Sequence, residues 1–327
     1  MAGTVPTLTE TLNTVGTMTL SARLDGIVDN FFGSIPLMAR LLQQDNIKEE
    51  GGKDIRQALL YEKSPGGSYK GIGPFDTAKR EKVTELVFDW KMYYVNVTLH
   101  GIDMLKNAGA KRIHDLVSSE MDIAEMSGPE YIASDVFGDG TGNDGAAITG
   151  LRAAFDNGDT YTTYGGITRS STAATAGKAA SGNVTTTGVT FSLPAMNTHY
   201  QTPVIGKEKP DLILTTQALW NKFWDHSQPA QRFRAGDEGS PMASIGFDTI
   251  RFNGADVVMD SKVATANIWF CNTKWIRLVV HSKRMWTPRT DTWLYPTNED
   301  TAIRQLVWAG ELVVKSPRLQ NLLTNVT

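Results

Sequence analysis

A single cysteine, Cys271, in 327 residues excludes an intramolecular disulfide framework and fits a chain made in a reducing compartment. Positive charge is also scarce: 32 Lys and Arg stand against 35 Asp and Glu, a formal net charge of −3. A protein that reads nucleic acid normally carries a basic patch large enough to tip that balance, so any contact with DNA is expected to be weak and non-specific. The opening stretch MAGTVPTLTETLNTVGTMTL has neither a basic n-region nor a continuous apolar run. No later segment approaches the roughly 20 apolar residues of a membrane span, so neither a cleavable export signal nor a bilayer anchor is expected.

The groups that carry bond-making chemistry are equally sparse. The five histidines, His100, His114, His199, His226 and His281, include no pair three or four residues apart, which removes the usual signature of a zinc site. There is no P-loop and no G-x-S-x-G elbow. Gly140 to Gly145 satisfies the letters G-x-G-x-x-G, but a helical pattern precedes it where dinucleotide binding requires a strand, so it reads as a connector. Asp135, Asp139, Asn143 and Asp144 miss the alternating ligand spacing of a calcium loop and read as turn chemistry. Cys271 sits in an apolar strand and reads as a buried structural thiol. His281-Ser282-Lys283-Arg284 is a small basic cluster that reads as a solvated strand end. No catalytic residue, cofactor or metal is expected.

What the chain does contain is an ordinary globular composition, 41% hydrophobic and 20% charged, in a length beyond the roughly 250–300 residues at which one core stops growing. Residues 1–44 begin Thr-rich and turn apolar around Phe31, Phe32 and Leu41, with Gly33 and Pro36 barring a long helix, so they read as an arm lying along something else. Residues 45–95 read as a long β-hairpin. Its tip holds Ser64-Pro65-Gly66-Gly67, Tyr69 and further glycines, and Leu86, Phe88, Trp90 and Met92 are expected on one face of its return strand. From Lys111 to Phe137 apolar residues recur at helical spacing, and Gly128-Pro129 predicts a kink or two helices.

The stretch between Asp139 and Phe191, including SSTAATAGKAASGNVTTTG, holds few large apolar groups and reads as a surface loop. Beyond it, Leu212 to Leu214 is a predicted strand, and Thr215 or Thr216 is the expected cap of the helix after it. On that helix Leu219/Phe223 and Trp220/Trp224 form i,i+4 pairs. Asn253-Gly254 predicts a tight hairpin. Strands are expected at Ile268 to Phe270, Trp275 to Val280 and Leu306 to Val314.

The order KPDLILTTQALWNKFW, RFNGADVVMDSKVATANIWFCNTKWIRLVVH, QLVWAGELVVKSPRLQNLL, preceded by FGDGTG, ITGL and YGGITRS, resembles the major capsid proteins of tailed phages with the Hong Kong 97-type fold. That resemblance implies an α+β protein with an N-terminal arm (1–44), an extended hairpin loop (45–95), a peripheral domain with a long spine helix (96–145) and an axial domain (146–292). A final strand (293–327) would return to the peripheral domain. It further implies a structural protein of the virion, assembled in the host cytoplasm, whose copies join as pentamers and hexamers into an icosahedral head around double-stranded DNA. A separate scaffolding protein, a portal protein and a decoration protein would be its partners. Interface residues would lie at Phe31, Phe32, Leu41, Ser64, Pro65, Gly66, Gly67 and Tyr69, and at Arg232 and Arg234 of an axial loop. An encapsulin-like nanocompartment shares the implied fold, and a nucleotide-binding enzyme is the rival from another class.

Overall fold

A computed structural model of the protein describes residues 35–71, 75, 77–106, 110–169, 176–227 and 250–327. The chain enters with α1 (Pro36–Gln43), β1 (Ile47–Glu50), β2 (Ile55–Leu60), β3 (Val83–Phe88) and β4 (Lys91–His100). There follow α2 (Gly101–Lys106), the 27-residue α3 (Ala110–Val136), α4 (Leu151–Phe155), the ribbon of β5 (Thr163–Tyr164) and β6 (Ile167–Thr168), α5 (Ala176–Ala179), β7 (Asn183–Thr185) and α6 (Leu193–Gln201). The last part holds β8 (Leu212–Thr215), α7 (Gln217–Ser227), β9 (Ile250–Phe252), β10 (Ala255–Met259), β11 (Ile268–Cys271), β12 (Ile276–His281), β13 (Thr287–Pro288), β14 (Thr301–Val314) and β15 (Asn321–Leu323).

Two larger sheets organise these elements. In the first, β14 is the centre: β4 pairs along one edge, from Thr301↔His100 to Gly310↔Lys91, while β13 and β12 follow one another along the other edge. β1 adds to β12 in parallel. The second sheet runs β7-β15-β11-β8-β10-β9. Its central strands read LILT, ADVVM and IWFC because both faces are covered. Leu212, Leu214, Val258, Trp269 and Cys271 face the main core, and Ile213, Val257, Ile268 and Phe270 face a smaller core under α6 and α7.

Several local expectations hold. Asn253 and Gly254 have φ of 52° and 89° and join β9 to β10, as a tight hairpin requires. Leu219 and Phe223 are buried, and the Trp220 and Trp224 rings stack at 5.8 Å.

Others are corrected. The return limb of the long hairpin is two strands: Leu86 and Phe88 are buried in β3, but after the break at Asp89-Trp90 the buried residues of β4 are Val95, Val97 and Leu99, and Met92 is exposed. Trp90 causes the change of phase by turning its indole N–H to the Gly52 carbonyl (3.0 Å) and its ring against His281.

α3 runs through Gly128-Pro129 as one helix, not the pair of helices that was one of the two expectations. A proline removes one intrahelical hydrogen bond, while Val117, Met121, Ala124, Ile132 and Val136 keep both halves buried on one face. Gly128 leaves room there for the Trp286 ring, which lies 3.1 Å from where a β-carbon would sit.

The Gly/Ala-rich stretch is a surface loop only in part. α5 and β7 are built into the body, β7 pairs in parallel with β15, and Gly177, Ala179, Ala180 and Ser181 are buried. Small side chains serve close approach here, as at Gly182, whose α-carbon faces the Phe155 carbonyl closely enough that a β-carbon would fall 2.3 Å from its oxygen. Thr216 occupies the cap position of α7, yet its hydroxyl is buried without a hydrogen-bond partner. The strand expected at Leu306 to Val314 begins at Thr301, and β15 lies beyond it.

Candidate interaction surfaces

The hairpin projects because its sequence gives it an inner face only near the base. β2 and β3 pair from Ile55↔Phe88 to Leu60↔Val83, and Ile55, Leu59, Leu86 and Phe88 are buried against the body. Toward the tip Leu60 and Val83 are exposed, and ion pairing and hydrogen bonding replace packing: Arg80 meets Glu62 at 3.3 Å and Lys82 Nζ donates to Ser64 Oγ at 2.9 Å. At the tip Tyr69 and Phe75 meet edge to face at 4.8 Å while 64% and 66% exposed. Aromatic pairs of that exposure mark contact surfaces more often than cores.

The base of the hairpin is clamped by the β5–β6 ribbon. The Gly165 carbonyl accepts the Val87 N–H (3.0 Å), and Phe88 and Tyr164 pack edge to face at 5.2 Å. Gly165 has φ of 55° and lies so close to Leu86 that a β-carbon would come within 2.8 Å of it, so both turn and contact require glycine. Beside the clamp opens a recess of about 480 Å³ lined by Lys91, Asp89, Asp139, Tyr164 and Glu311. Glu311 is fully buried, accepts the backbone N–H groups of Thr149 (2.7 Å) and Leu312 (2.9 Å), and burial pushes its carboxyl up to about 7. Lys91 donates to the Gly145 carbonyl and draws the carboxyl partly back down.

Between α3 and β4 lies a larger cleft of about 630 Å³. Met92, Tyr94, Ile123 and Tyr131 are exposed on its walls, and Glu120 and Asp135 supply carboxylates. Tyr93 anchors its floor, donating to Asp135 Oδ2 (2.6 Å) and accepting the Ile148 N–H (3.0 Å); burial followed by the Asp135 bond raises its phenol.

Of the residues singled out from sequence, Ser64, Gly66, Gly67 and Tyr69 are exposed together on the hairpin tip, and Pro65 is half-buried there. Leu41 is wholly buried in α1 within its own chain, where Arg40 Nη2 and Gln44 Nε2 reach Asp211 Oδ2 (3.2 and 2.9 Å). Phe31, Phe32, Arg232 and Arg234 lie outside the described residues. Sequence reasoning missed the cleft and Glu311. The only sequence signal for Glu311 is one charge inside the apolar run WAGELVV, and for the cleft an outward Met-x-Tyr pair ahead of an acidic, apolar helix.

Cys271 is buried in β11, and burial raises its thiol. Gly140 to Gly145 forms the turn from α3 toward α4, with Asn143 and Asp144 at φ of 51° and 54° and Asp139 Oδ1 accepting from Thr141 (2.9 Å to N, 2.6 Å to Oγ1). Among the described residues no group of three His, Cys, Asp or Glu is placed to hold a metal ion, and no helix is long and apolar enough to cross a membrane. Lys283 and Arg284 are exposed beside the buried Trp286.

No protein-family model matches the chain, and no curated protein matches it by sequence. Solved structures do match. The capsid protein of cyanophage A-1(L) aligns over 86% of this chain and 90% of its own with a TM-score of 0.61 and 13% identity. The capsid protein of a native GTA particle aligns over 88% and 90% with a TM-score of 0.54 and 12% identity. The encapsulin SrpI of Synechococcus elongatus PCC 7942 aligns over 88% and 87% with a TM-score of 0.51 and 10% identity. The chain therefore has the mixed α+β fold of the Hong Kong 97-type capsid structures.

Proposed function

We propose that the protein is the shell subunit of a tailed-phage head, self-assembling into pentamers and hexamers of an icosahedral capsid around double-stranded DNA. The observation that carries this is the hairpin. It is braced only at its base and ends in exposed aromatic rings, a shape whose apolar surface is satisfied only by another molecule. Residues 45–95 act as the extended loop, α3 as the spine, and the lobe around the second sheet as the axial domain; Ser64 to Tyr69 and the segment around Arg232 and Arg234 contact neighbouring copies. Stability of the particle then comes from many repeated interfaces of modest energy. With a formal charge of −3 the wall holds DNA without reading it. A separate scaffolding protein, a portal protein and a decoration protein complete the virion, which is assembled in the host cytoplasm. Electron microscopy of the protein expressed alone and with a candidate scaffold tests the reading: closed particles are expected, and subunits that stay monomeric under both conditions refute it.

A second reading is a protein nanocompartment, favoured by the similarity to SrpI. Particles purified with protein cargo and no DNA would decide for it.

A further inference from the structure

We propose that the cleft between α3 and β4 is a binding site for a linear polyamine, its terminal ammonium groups held by Glu120 and Asp135 and its methylene chain laid along the wall between them. The residues that α3 gives to the cleft recur every three or four positions from 120 to 135, the spacing that keeps one stripe of a helix facing one way. The stripe begins and ends on a carboxylate, and Ile123, Ala124, Ser127 and Tyr131 run between. β4 faces it with Met92 and Tyr94, 71% and 65% exposed. Among the described residues lining the cleft there is no Lys, Arg or His, and Glu120 makes no ion pair or hydrogen bond with any described residue. Asp135 accepts the Tyr93 hydroxyl at Oδ2 (2.6 Å), which fixes the carboxylate and leaves Oδ1 for a ligand.

Spacing decides which cation fits. At about 1.5 Å per residue, positions 120 and 135 lie about 22 Å apart along the helix, too far for one metal ion to be shared between them. A single ammonium engages one end only. An extended tetraamine with thirteen bonds between its terminal nitrogens spans about 16 Å, and a charge-assisted hydrogen bond of about 2.8 Å at each end brings its reach to about 22 Å. Between the ends, tyrosine faces attract the inner ammonium groups and the aliphatic side chains take the methylenes. The cleft, about 630 Å³, has the volume of a small-molecule site with an apolar wall and a few placed polar groups. The site belongs to the folded subunit and does not depend on what a shell of such subunits encloses.

Equilibrium dialysis of spermine, spermidine and putrescine against the full-length protein tests the site. One spermine per chain is expected, with affinity falling about tenfold at each step to spermidine and putrescine as the shorter chains lose the second carboxylate. Glu120→Gln should weaken spermine about tenfold and narrow its advantage over putrescine, and Tyr131→Ala should weaken all three amines without moving the melting transition, since that ring is 58% exposed. Asp225→Asn, on α7, should change nothing. Equal affinity for the three amines, unaltered binding to Glu120→Gln, or displacement of spermine by magnesium at equal charge would overturn the site, because each assigns the binding to the diffuse field of a chain of formal charge −3. A protein that co-purifies with the chain and blocks spermine until it is stripped away would overturn it too, by giving the cleft to a macromolecule. Particle closure is read separately by microscopy, so failure of this site and failure of the shell reading are told apart.

Discussion

Replacing Glu311 by Gln should change how stability depends on pH, by an amount that the structure sets. The carboxyl is fully enclosed between β14 and the segment around Thr149 and has been lifted from its ordinary 4.5 to about 7 by burial. The N–H groups of Leu312 and Thr149, Lys91 and the Thr149 hydroxyl oppose that rise without cancelling it. Asp89, Asp139 and Tyr164 line the same recess, and Tyr93 feels the same charge. Because the folded protein holds this proton more tightly than the unfolded chain does, the stabilisation is complete below pH ~4.5 and is lost as pH rises through about 7. At about 1.4 kcal/mol per pH unit of difference, the loss is about 3 kcal/mol. Glu311→Gln keeps the shape and one acceptor oxygen but cannot ionise. Urea unfolding of dissociated subunits from pH 5 to 8 should show the parent losing about 3 kcal/mol relative to the variant as pH rises. Parallel pH profiles for the two proteins would refute the reasoning.

Deleting Pro65 to Gly73 should leave a folded subunit with an unchanged melting transition but abolish closed particles by electron microscopy, because residues 66–71 are exposed and Pro65 is only half-buried. Cys271→Ala should cost about 1–2 kcal/mol in chemical denaturation and leave assembly intact, and the native thiol should resist labelling reagents until the protein unfolds. Gly165→Ala should cost about 2–4 kcal/mol, from the left-handed backbone and the displaced Leu86, and should speed hydrogen exchange at the Val87 amide. Gly182→Ala, which aims a methyl group at the Phe155 carbonyl, should yield little folded protein on expression, whereas Gly66→Ala at the open tip should be neutral within about 0.5 kcal/mol.

The sequence was most readable where local chemistry alone decides geometry. Asn253-Gly254 needs no tertiary partner to specify a tight turn, and the pairs Leu219/Phe223 and Trp220/Trp224 follow from helical spacing. It misled where a distant partner sets the outcome. Alternation from Leu86 through Met92 looks continuous until Trp90 is drawn to Gly52, and Gly128-Pro129 looks like a break until the buried face of α3 outweighs one lost hydrogen bond. The small residues after Asp139 read as loop because the sequence does not reveal that Phe155 and β15 crowd against them. The cleft was invisible for the same reason: each wall is an unremarkable amphipathic segment, and only the packing of α3 on β4 turns two half-exposed faces into one concave acidic surface.

The placement of β15 bears on the timing of biosynthesis. It sits between β7 and β11, so Asn321 pairs with Asn183 on one side while Trp269 pairs with Leu322 on the other. A nascent chain that has emerged only as far as β14 therefore carries β7 without its neighbour and β11 with a bare edge, and half of its second sheet is a template for the wrong strand. Ribosomes crowded on one message would hold many such unfinished sheets side by side. Completing residues 321–323 closes both edges at once, which makes the emergence of β15 the step at which a sticky intermediate becomes a finished sheet.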